Sequence, residues 1–186
     1  MHYVKYIVID VIIAAVISIF LINYVASAYK INGSSMQNAL SDQERIIISK
    51  WAIKDGNIKR GDIVVLRKPD EPDRTIIKRV IGLPGEVIEI IKGDVFINKQ
   101  PLDESYLSIA KDVMYRAFNM HPLTIPADHY FVMGDNRTVS QDSRFFGPIK
   151  RNDIFGVTIF RYWPFSRIGR FPEISFKNFS PVSKNP

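Results

Sequence analysis

Residues 61–85 of this chain read GDIVVLRKPDEPDRTIIKRVIGLPG. Two runs of aliphatic and β-branched residues, Ile63–Leu66 and Thr75–Ile77, are each bounded by Gly, Pro, Asp or charged residues. This composition is typical of β-strands that end in turns. If the second run continues as an alternating strand, Lys78 lies among aliphatic neighbours on one face. The segment therefore predicts two strands, one of which presents a lysine on an apolar face.

Similar short runs recur along the chain after residue 40. They are Ile46–Ile48, Val87–Ile90, Val95–Ile97 and Tyr130–Met133. No stretch there keeps an apolar period of 3.6 residues for three turns, which argues against long helices. The sequence predicts a mostly β fold, in which an antiparallel β-barrel or pair of sheets forms the main domain.

The predicted β domain covers residues 29–171 and contains a small β-rich lobe. Residues 91–126 form this lobe: a hairpin that turns at Asn98–Lys99 is followed by a polar, less regular stretch. The tail, residues 172–186, is rich in Ser, Pro and Asn, and we expect it to be loosely ordered.

The N-terminal part is almost wholly apolar from Ile7 to Ala28 and carries one charge, Asp10. As a helix this run would be about 33 Å long, enough to span a bilayer core. Lys5 precedes it and weakly favours a cytoplasmic N-terminus. We therefore predict one N-terminal transmembrane helix at residues 7–28, with residues 1–6 in the cytoplasm and the β domain outside the cell membrane.

Two alternatives for this segment stay open. Ala26-Ser27-Ala28 has the small-x-small pattern of a secretory cleavage site, so the run could be a removed signal peptide, or it could be a buried core helix. The anchor is favoured because the run is long for a signal peptide and few basic residues precede it.

Composition excludes some chemistry. The 186 residues contain no cysteine, which rules out disulfides, thiolate catalysis and Cys-ligated metal. The net charge of +6 would suit either a nucleic-acid binder or a protein close to anionic lipid. Basic residues are interspersed with acidic ones through residues 41–116 without a five-residue basic block, and the C-terminal third is both basic and aromatic. This pattern favours membrane lipid as a partner over nucleic acid.

Ser35 is a candidate nucleophile because of its position. It lies in the permissive turn Gly33–Met36, directly after the apolar segment. The histidines are His2, His121 and His129. None stands in a recognisable triad context, so a Ser-His-Asp enzyme has little support.

Lys78 is the candidate general base. An amine among apolar side chains loses hydration of its charged form, and its pKa falls. To act as a base near neutral pH, it must fall by about three units, which corresponds to about 4 kcal/mol. The alternative is that Lys78 extends its ammonium group to solvent from a half-buried strand.

A third cluster occupies residues 134–147, where turn-forming residues alternate with acids and arginines. Such a loop can be held by charge-assisted hydrogen bonds. It could equally be a structural turn network or a phosphate site, and it has no metal-binding spacing.

These clusters, in this order after an apolar segment, resemble the sequence boxes of bacterial type I signal peptidases in their short, single-anchor form. The resemblance extends to about Phe165. Its motifs are Ser35-Met36, Gly61–Val65, Lys78–Gly85 and Gly134–Arg137 with Ser140, Asp142, Ser143, Arg144 and Gly147.

The resemblance implies a membrane-bound Ser-Lys endopeptidase without a cofactor or metal, which removes signal peptides from exported preproteins after Ala-x-Ala sites. Ser35 would attack the scissile carbonyl and donate its backbone N–H to the oxyanion, with Lys78 as general base. The supporting residues would be Ser140, which orients the lysine, the Asp142–Arg144 ion pair, and Arg79. Two small pockets would be lined by Ile31, Met36, Leu40 and Ile77. The oligomeric state stays open.

The chain departs from the family pattern at two points. Gln37-Asn38-Ala39-Leu40 keeps the leucine of the usual Pro-Thr-Leu but loses the proline, and Gly33 replaces a serine that assists the oxyanion in other members.

The altered turn leaves open an inactive, membrane-anchored β module that binds peptides or a partner. A self-cleaving Ser-Lys repressor would need a DNA-binding helix pair where this chain has the apolar run. Self-cleavage after Ala28 is a further hypothesis.

Overall fold

The computed structural model describes residues 2–20, 26–37, 39–54, 56, 58–107 and 113–171. Its helices are α1 His2–Phe20, α2 Trp51–Lys54, α3 Val113–Arg116 and α4 Ser143–Phe146, with 3₁₀ turns at Arg151–Asp153 and Phe165–Arg167. Its strands are β1 Ala26–Lys30, β2 Arg45–Ser49, β3 Ile63–Lys68, β4 Glu71–Gly82, β5 Val87–Ile91, β6 Asp94–Ile97, β7 Gln100–Pro101, β8 Met120–Thr124, β9 His129–Met133, β10 Ile149–Lys150 and β11 Ile154–Trp163.

The strands form two antiparallel sheets. A seven-stranded sheet has the order β1-β2-β11-β3-β4-β9-β10, and a four-stranded sheet has the order β7-β6-β5-β8. All paired strands in both sheets are antiparallel. The prediction of a mostly β, antiparallel fold is confirmed.

The smaller sheet follows the local sequence closely. The turn between β6 and β7 places Asn98 and Lys99 at φ of 50° and 68°, as a two-residue hairpin turn requires. The sheet starts at Val87 in β5 and ends at Thr124 in β8, so it begins before residue 91.

Strand β11 was not predicted from the sequence, although it is central to the larger sheet. It pairs with β2 on one side and with β3 on the other. Its pairing with β2 is interrupted by bulges near Phe160 and Trp163, which break the strict alternation of buried and exposed residues.

Strand β4 separates two parts of the core. On one face, Ile77 packs against a cluster that contains Ile31, Met36 and Leu40. On the other face, Val80 belongs to a second cluster, against which Ile76 and Phe146 pack. The side chains on the two faces of β4 therefore pack into two separate core clusters.

The N-terminal segment differs from its predicted bounds. Its first described part is helix α1, His2–Phe20, whose apolar side chains from Tyr3 to Ile17 are largely exposed. Among the described residues, no helix meets the length and apolarity needed to cross a membrane. Residues 26–28, predicted as the end of the transmembrane helix, instead lie in β1 and pair with β2. Apolarity alone could not reveal this, because Ala and Ser fit a strand edge as well as a helix.

Two further predicted segments fall outside the described residues, wholly or in part. These are residues 21–25 of the predicted anchor and the tail at 172–186.

Candidate active site

Ser35 and Lys78 are in direct contact, although 43 positions separate them in the sequence. Lys78 Nζ lies 2.8 Å from Ser35 Oγ and 3.1 Å from the carbonyl oxygen of Ile77. Lys78 is buried, whereas Ser35 is partly exposed. The serine is thus accessible to a ligand while the amine is shielded from water.

The turn that carries Ser35 is built on local hydrogen bonds. Gly33 adopts a φ of 102°, and its N–H donates to Asp42 Oδ1 at 2.8 Å. The Leu40 N–H then donates to the Met36 carbonyl oxygen at 2.8 Å. Both of these apolar side chains are buried, which fixes the turn on the core below it.

The turn that lacks the family's proline is held by the C-terminal end of β11 and by the 3₁₀ turn that follows it. Arg161 Nη1 donates to the Ala39 carbonyl oxygen at 2.7 Å, and Arg167 Nη1 donates to Ser41 Oγ at 2.8 Å. Both guanidinium groups pair with the buried carboxylate of Glu44, at 3.2 Å and 2.6 Å. Charge-assisted bonds therefore constrain this turn where a proline ring would otherwise restrict it.

Burial lowers the pKa of Lys78 from 10.5 to about 8. Charges nearby have smaller, opposing effects: the Asp142 carboxylate raises this pKa, and the guanidinium groups of Arg74 and Arg144 lower it. A substantial share of Lys78 is therefore a neutral amine in mildly alkaline solution.

The loop between β9 and α4 packs directly on the nucleophile turn. The Asn136 N–H donates to the Ser35 carbonyl oxygen at 3.0 Å. A Cβ atom on Gly134 would lie 2.5 Å from that same oxygen, so only glycine allows this approach. Any shift of this loop would move the backbone of Ser35.

Asp142 and Arg144 organise the loop from within. Asp142 Oδ2 accepts from the Gly134 N–H at 2.9 Å, and its carboxylate pairs with the Arg144 guanidinium at 2.8 Å. Arg144 Nη2 also donates to the carbonyl oxygens of Arg137 and Ser140. Ser140 Oγ is buried and has no hydrogen-bond partner among the described residues, so no bond from it to Lys78 is present.

Arg79 joins β4, the strand that carries Lys78, to the loop between β9 and α4. Its guanidinium makes two bonds to the Asp135 carboxylate, at 2.8 Å and 2.6 Å, and one to the Gly61 carbonyl oxygen at 3.0 Å. The pair is almost completely buried. A bidentate pair of this kind sets the position of Lys78, the preceding residue, relative to the loop.

A second buried network was not foreseen from the sequence. Arg137 pairs with Glu104 at 2.5 Å and donates to the hydroxyls of Tyr106 and Tyr115 at 2.7 Å and 2.9 Å. Its Nε also donates to the Gly134 carbonyl oxygen at 3.0 Å. The segment between β7 and β8 of the small sheet thereby holds the loop that touches Ser35. Arg137 belongs to the motif Gly134–Arg137, but no sequence feature near Glu104, 33 positions away, indicates that it is the partner of this arginine.

A cleft of about 670 Å³ opens at Ser35 and Lys78. Three of the predicted pocket residues, Ile31, Met36 and Ile77, line it. Leu40 is buried in the cluster beneath them and does not line the cleft. Across the described part of the chain, no group of three or more acidic or histidine side chains is placed to hold a metal ion.

Comparison with known proteins gives a consistent family. The family model described as "Signal peptidase, peptidase S26" matches residues 2–163. A Signal peptidase I from Leptolyngbya laminosa is 38% identical over 84% of this chain and 78% of its own length. Signal peptidase I P from Bacillus subtilis subsp. natto is 36% identical over 85% of this chain and 88% of its own length.

A crystal structure of a signal peptidase I from Enterococcus faecalis is also similar. It is 35% identical, with a TM-score of 0.49, and the match covers 54% of this chain and 95% of the other.

Proposed function

The chain belongs to the S26 family of signal peptidases, and we propose that Ser35 and Lys78 form the catalytic dyad with which it cuts preproteins. As a member of this family it is a serine endopeptidase that removes signal peptides. The observation that carries the residue assignment is the 2.8 Å contact between Lys78 Nζ and Ser35 Oγ, made by an amine whose pKa is lowered to about 8. A nucleophile and a base within hydrogen-bond reach are the minimum that acyl transfer requires.

In the proposed reaction, neutral Lys78 takes the proton of Ser35 Oγ as that oxygen attacks the scissile carbonyl carbon. The resulting ammonium group then donates this proton to the leaving amine, and an acyl-enzyme remains. A water molecule attacks the ester, with Lys78 again as base, and releases the signal peptide and free Ser35. The amine is neutral at the start and end of each half-reaction.

The backbone N–H of Ser35 would stabilise the oxyanion. One preorganised donor of this kind contributes about 3 kcal/mol to transition-state stabilisation. Its position depends on the turn, which the Asn136 N–H and the Arg161 guanidinium hold from two sides. Gly33 supplies no hydroxyl, so this site has one side-chain donor fewer than relatives with serine there.

The preprotein would bind as an extended strand along the edge of β4. Strand β9 pairs with β4 only from Arg79 to Gly82, and within the described residues no strand covers the edge before Lys78. A peptide there could form main-chain hydrogen bonds and place alternate side chains against Ile31, Met36 and Ile77. Shallow apolar walls would favour small residues at the first and third positions before the cut.

The N-terminal segment would anchor the enzyme in the membrane. Helix α1 exposes apolar side chains from Tyr3 to Ile17, which in water would have no favourable environment. The exposed rings of Trp163 and Phe165 could rest at the lipid interface near the site. In this proposal the N-terminus is cytoplasmic and the β domain extracytoplasmic. Cleavage after Ala28 would divide β1, so that strand would first have to leave the sheet.

The direct test is to incubate the detergent-solubilised enzyme with a preprotein that contains one Ala-x-Ala site, and to locate the cut by mass spectrometry. We expect cleavage after the second Ala by the wild type and none by Ser35→Ala. Absence of cleavage by folded wild type would favour the inactive peptide-binding module instead. Cleavage by the folded Ser35→Ala variant would refute the dyad.

The pH profile provides a separate prediction. Because Lys78 must be neutral and its pKa is about 8, kcat/KM should rise about tenfold per pH unit below pH 8 and level off above it. Arg74→Gln should move the inflection to higher pH, because that guanidinium lowers the pKa of Lys78, and added salt should reduce the difference. A flat profile from pH 6 to 9 would contradict a lysine base.

The Glu104–Arg137 network yields another prediction. Glu104→Gln should reduce the free energy of unfolding by about 3 kcal/mol, because it leaves a buried guanidinium without its counter-charge. It should also lower kcat, because Arg137 holds the Gly134 carbonyl beside Ser35. Urea unfolding and steady-state kinetics at a temperature where the variant is folded measure both effects.

Glu86→Gln is the matched control for this variant. It breaks the ion pair to Arg60 at 2.5 Å, whose two partners both lie outside the loop between β9 and α4. We expect it to reduce stability with little change in kcat. An equal loss of kcat in both variants would show that Glu104 acts only through global stability.

A further inference from the structure

The chain that enters the nucleophile turn is fixed at two points. Before the turn, the Ile31 N–H donates to the Glu44 carbonyl oxygen at 2.8 Å. Within the turn, the Ser35 carbonyl oxygen accepts from the Asn136 N–H at 3.0 Å. The backbone of residues 32–34 spans the interval between these points, so its conformation decides how the Ser35 N–H is presented to the cleft.

Gly33 is the most permissive position in this interval. It adopts a φ of 102°, and a Cβ atom built on it would meet no other atom within 4 Å. Glycine has more backbone freedom than any other residue, and here it has no side chain of its own to restrain it. A rotation at Gly33 would turn the peptide unit that joins Ser34 to Ser35, and with it the direction of the Ser35 N–H.

The Asp42 carboxylate restrains Gly33 directly. Its Oδ1 accepts from the Gly33 N–H at 2.8 Å, and its Oδ2 accepts from Gln43 Nε2 at 3.0 Å. These two bonds, the one from Gly33 first, lower the pKa of the Asp42 carboxyl. Asp42 is therefore ionised at the pH of the reaction, and its bond to the Gly33 N–H is charge-assisted.

We propose that Asp42 is a positioning residue for catalysis: by fixing Gly33, it sets the direction of the Ser35 N–H that would stabilise the oxyanion. This inference rests on the proposed role of Ser35. Asp42 does not line the catalytic cleft, so it acts through the backbone and not by touching the preprotein. Because Gly33 supplies no hydroxyl, stabilisation of the oxyanion depends on this backbone N–H, and therefore on its orientation.

The test compares Asp42→Ala with Asp42→Asn on a soluble peptide that contains one Ala-x-Ala site. Asp42→Ala should lower kcat about tenfold, less than complete loss of an oxyanion donor would, because the Ser35 N–H remains but is less well oriented. KM should change by less than about twofold, since the pocket wall at Ile31 keeps its own bond to Glu44. Asparagine retains a side-chain oxygen that can accept the Gly33 N–H, so Asp42→Asn should keep about half or more of the wild-type kcat.

The pH profile separates this role from an effect on the base. The inflection near pH 8 should stay in place in Asp42→Ala, because burial of Lys78 is the main cause of its lowered pKa. Asp42 is exposed, so its replacement leaves no cavity, and circular dichroism with urea unfolding checks that each variant is folded.

Asn119→Ala is the matched control. Asn119 is also exposed, and its Oδ1 accepts the backbone N–H of Lys92 at 2.9 Å, in the small lobe. The variant loses the same kind of bond at a site far along the chain from Ser35, and it should keep the wild-type kcat.

Three results would overturn the positioning role of Asp42. These are a wild-type kcat in Asp42→Ala, an equal loss of kcat in Asp42→Asn, where the acceptor oxygen is present, and an equal loss in Asn119→Ala. Each leaves the proposed function intact as long as the wild type cuts the peptide and Ser35→Ala does not. Failure of the folded wild type to cut would refute the proposed function and this inference together.

Discussion

Replacing Lys78 with methionine is expected to lower kcat/KM by at least about a thousandfold and, in the same variant, to raise the free energy of unfolding at pH 7. Activity is lost because Ser35 would have no base within reach of its hydroxyl. Stability increases because a buried amine is replaced by an apolar side chain of similar length.

The size of the stability gain follows from the pKa of Lys78. Its folded value of about 8, against 10.5 for the free side chain, corresponds to about 3 kcal/mol of destabilisation at pH 7, which methionine would relieve in part. Between pH 8 and 10.5 the unfolded chain binds more protons than the folded chain, so the stability of wild type rises with pH in this window. The difference between Lys78→Met and wild type should therefore shrink from pH 7 to pH 10.

Chemical unfolding at several pH values and peptide kinetics measure the two effects. Lys78→Arg is the matched control, because it keeps the positive charge but cannot lose its proton. It should be as inactive as Lys78→Met and less stable than wild type. Substantial activity in Lys78→Arg would show that a group other than residue 78 accepts the proton.

Much of the fold could be predicted from local pattern. The runs at Ile63–Leu66, Thr75–Ile77 and Tyr130–Met133 lie in β3, β4 and β9, because β-branched and aromatic residues bounded by turns have few other stable conformations. Strands β1 and β11 were not predicted. The first begins inside an apolar run, and the second contains bulges and polar residues, so only their tertiary partners define them as strands.

Only part of the candidate active site could be predicted from the sequence. Motif order, through the family resemblance, nominated Ser35 and Lys78, but spacing alone gave no reason for residues 43 positions apart to meet. The bonds from Arg161 to Ala39 and from Arg137 to Glu104 were not predictable for the same reason. Such contacts depend on how sheets and loops pack, and local composition carries little information about that packing.

In the turn after Ser35, contacts from residues distant in sequence compensate for the missing proline, and the local sequence does not indicate them. Without the proline, the sequence suggests a looser turn and hence a weaker enzyme. In the structure, Arg161 and Arg167 donate directly to Ala39 and Ser41, and both guanidinium groups also pair with the buried Glu44. The rigidity that catalysis needs is therefore supplied by the C-terminal end of β11 and the 3₁₀ turn after it, so substitution of either arginine is expected to displace the nucleophile turn.

Gly134→Ala is expected to reduce kcat/KM by about a hundredfold or more while leaving a folded protein. The added methyl group would lie 2.5 Å from the Ser35 carbonyl oxygen and closer still to Ser140 Oγ. The crowded atoms are backbone and a buried hydroxyl, so the nucleophile turn must move, and a displacement of about 1 Å can lower catalysis a hundredfold. KM should change less than kcat, because the pocket walls at Ile31 and Ile77 are not touched.

Two glycine controls separate this effect from general destabilisation. Gly156→Ala would place a methyl group 2.4 Å from Ile48 Cδ1 in the core of the sheet, and its three nearest atoms all belong to the Ile48 side chain rather than to the backbone of Ser35. It should lower stability with kcat retained at temperatures where it is folded. Gly85→Ala adds only the strain of a φ of 81° with open space around it. If Gly156→Ala loses as much kcat as Gly134→Ala, the close approach of the loop to Ser35 has no special role, and catalysis depends on the stability of the sheet as a whole.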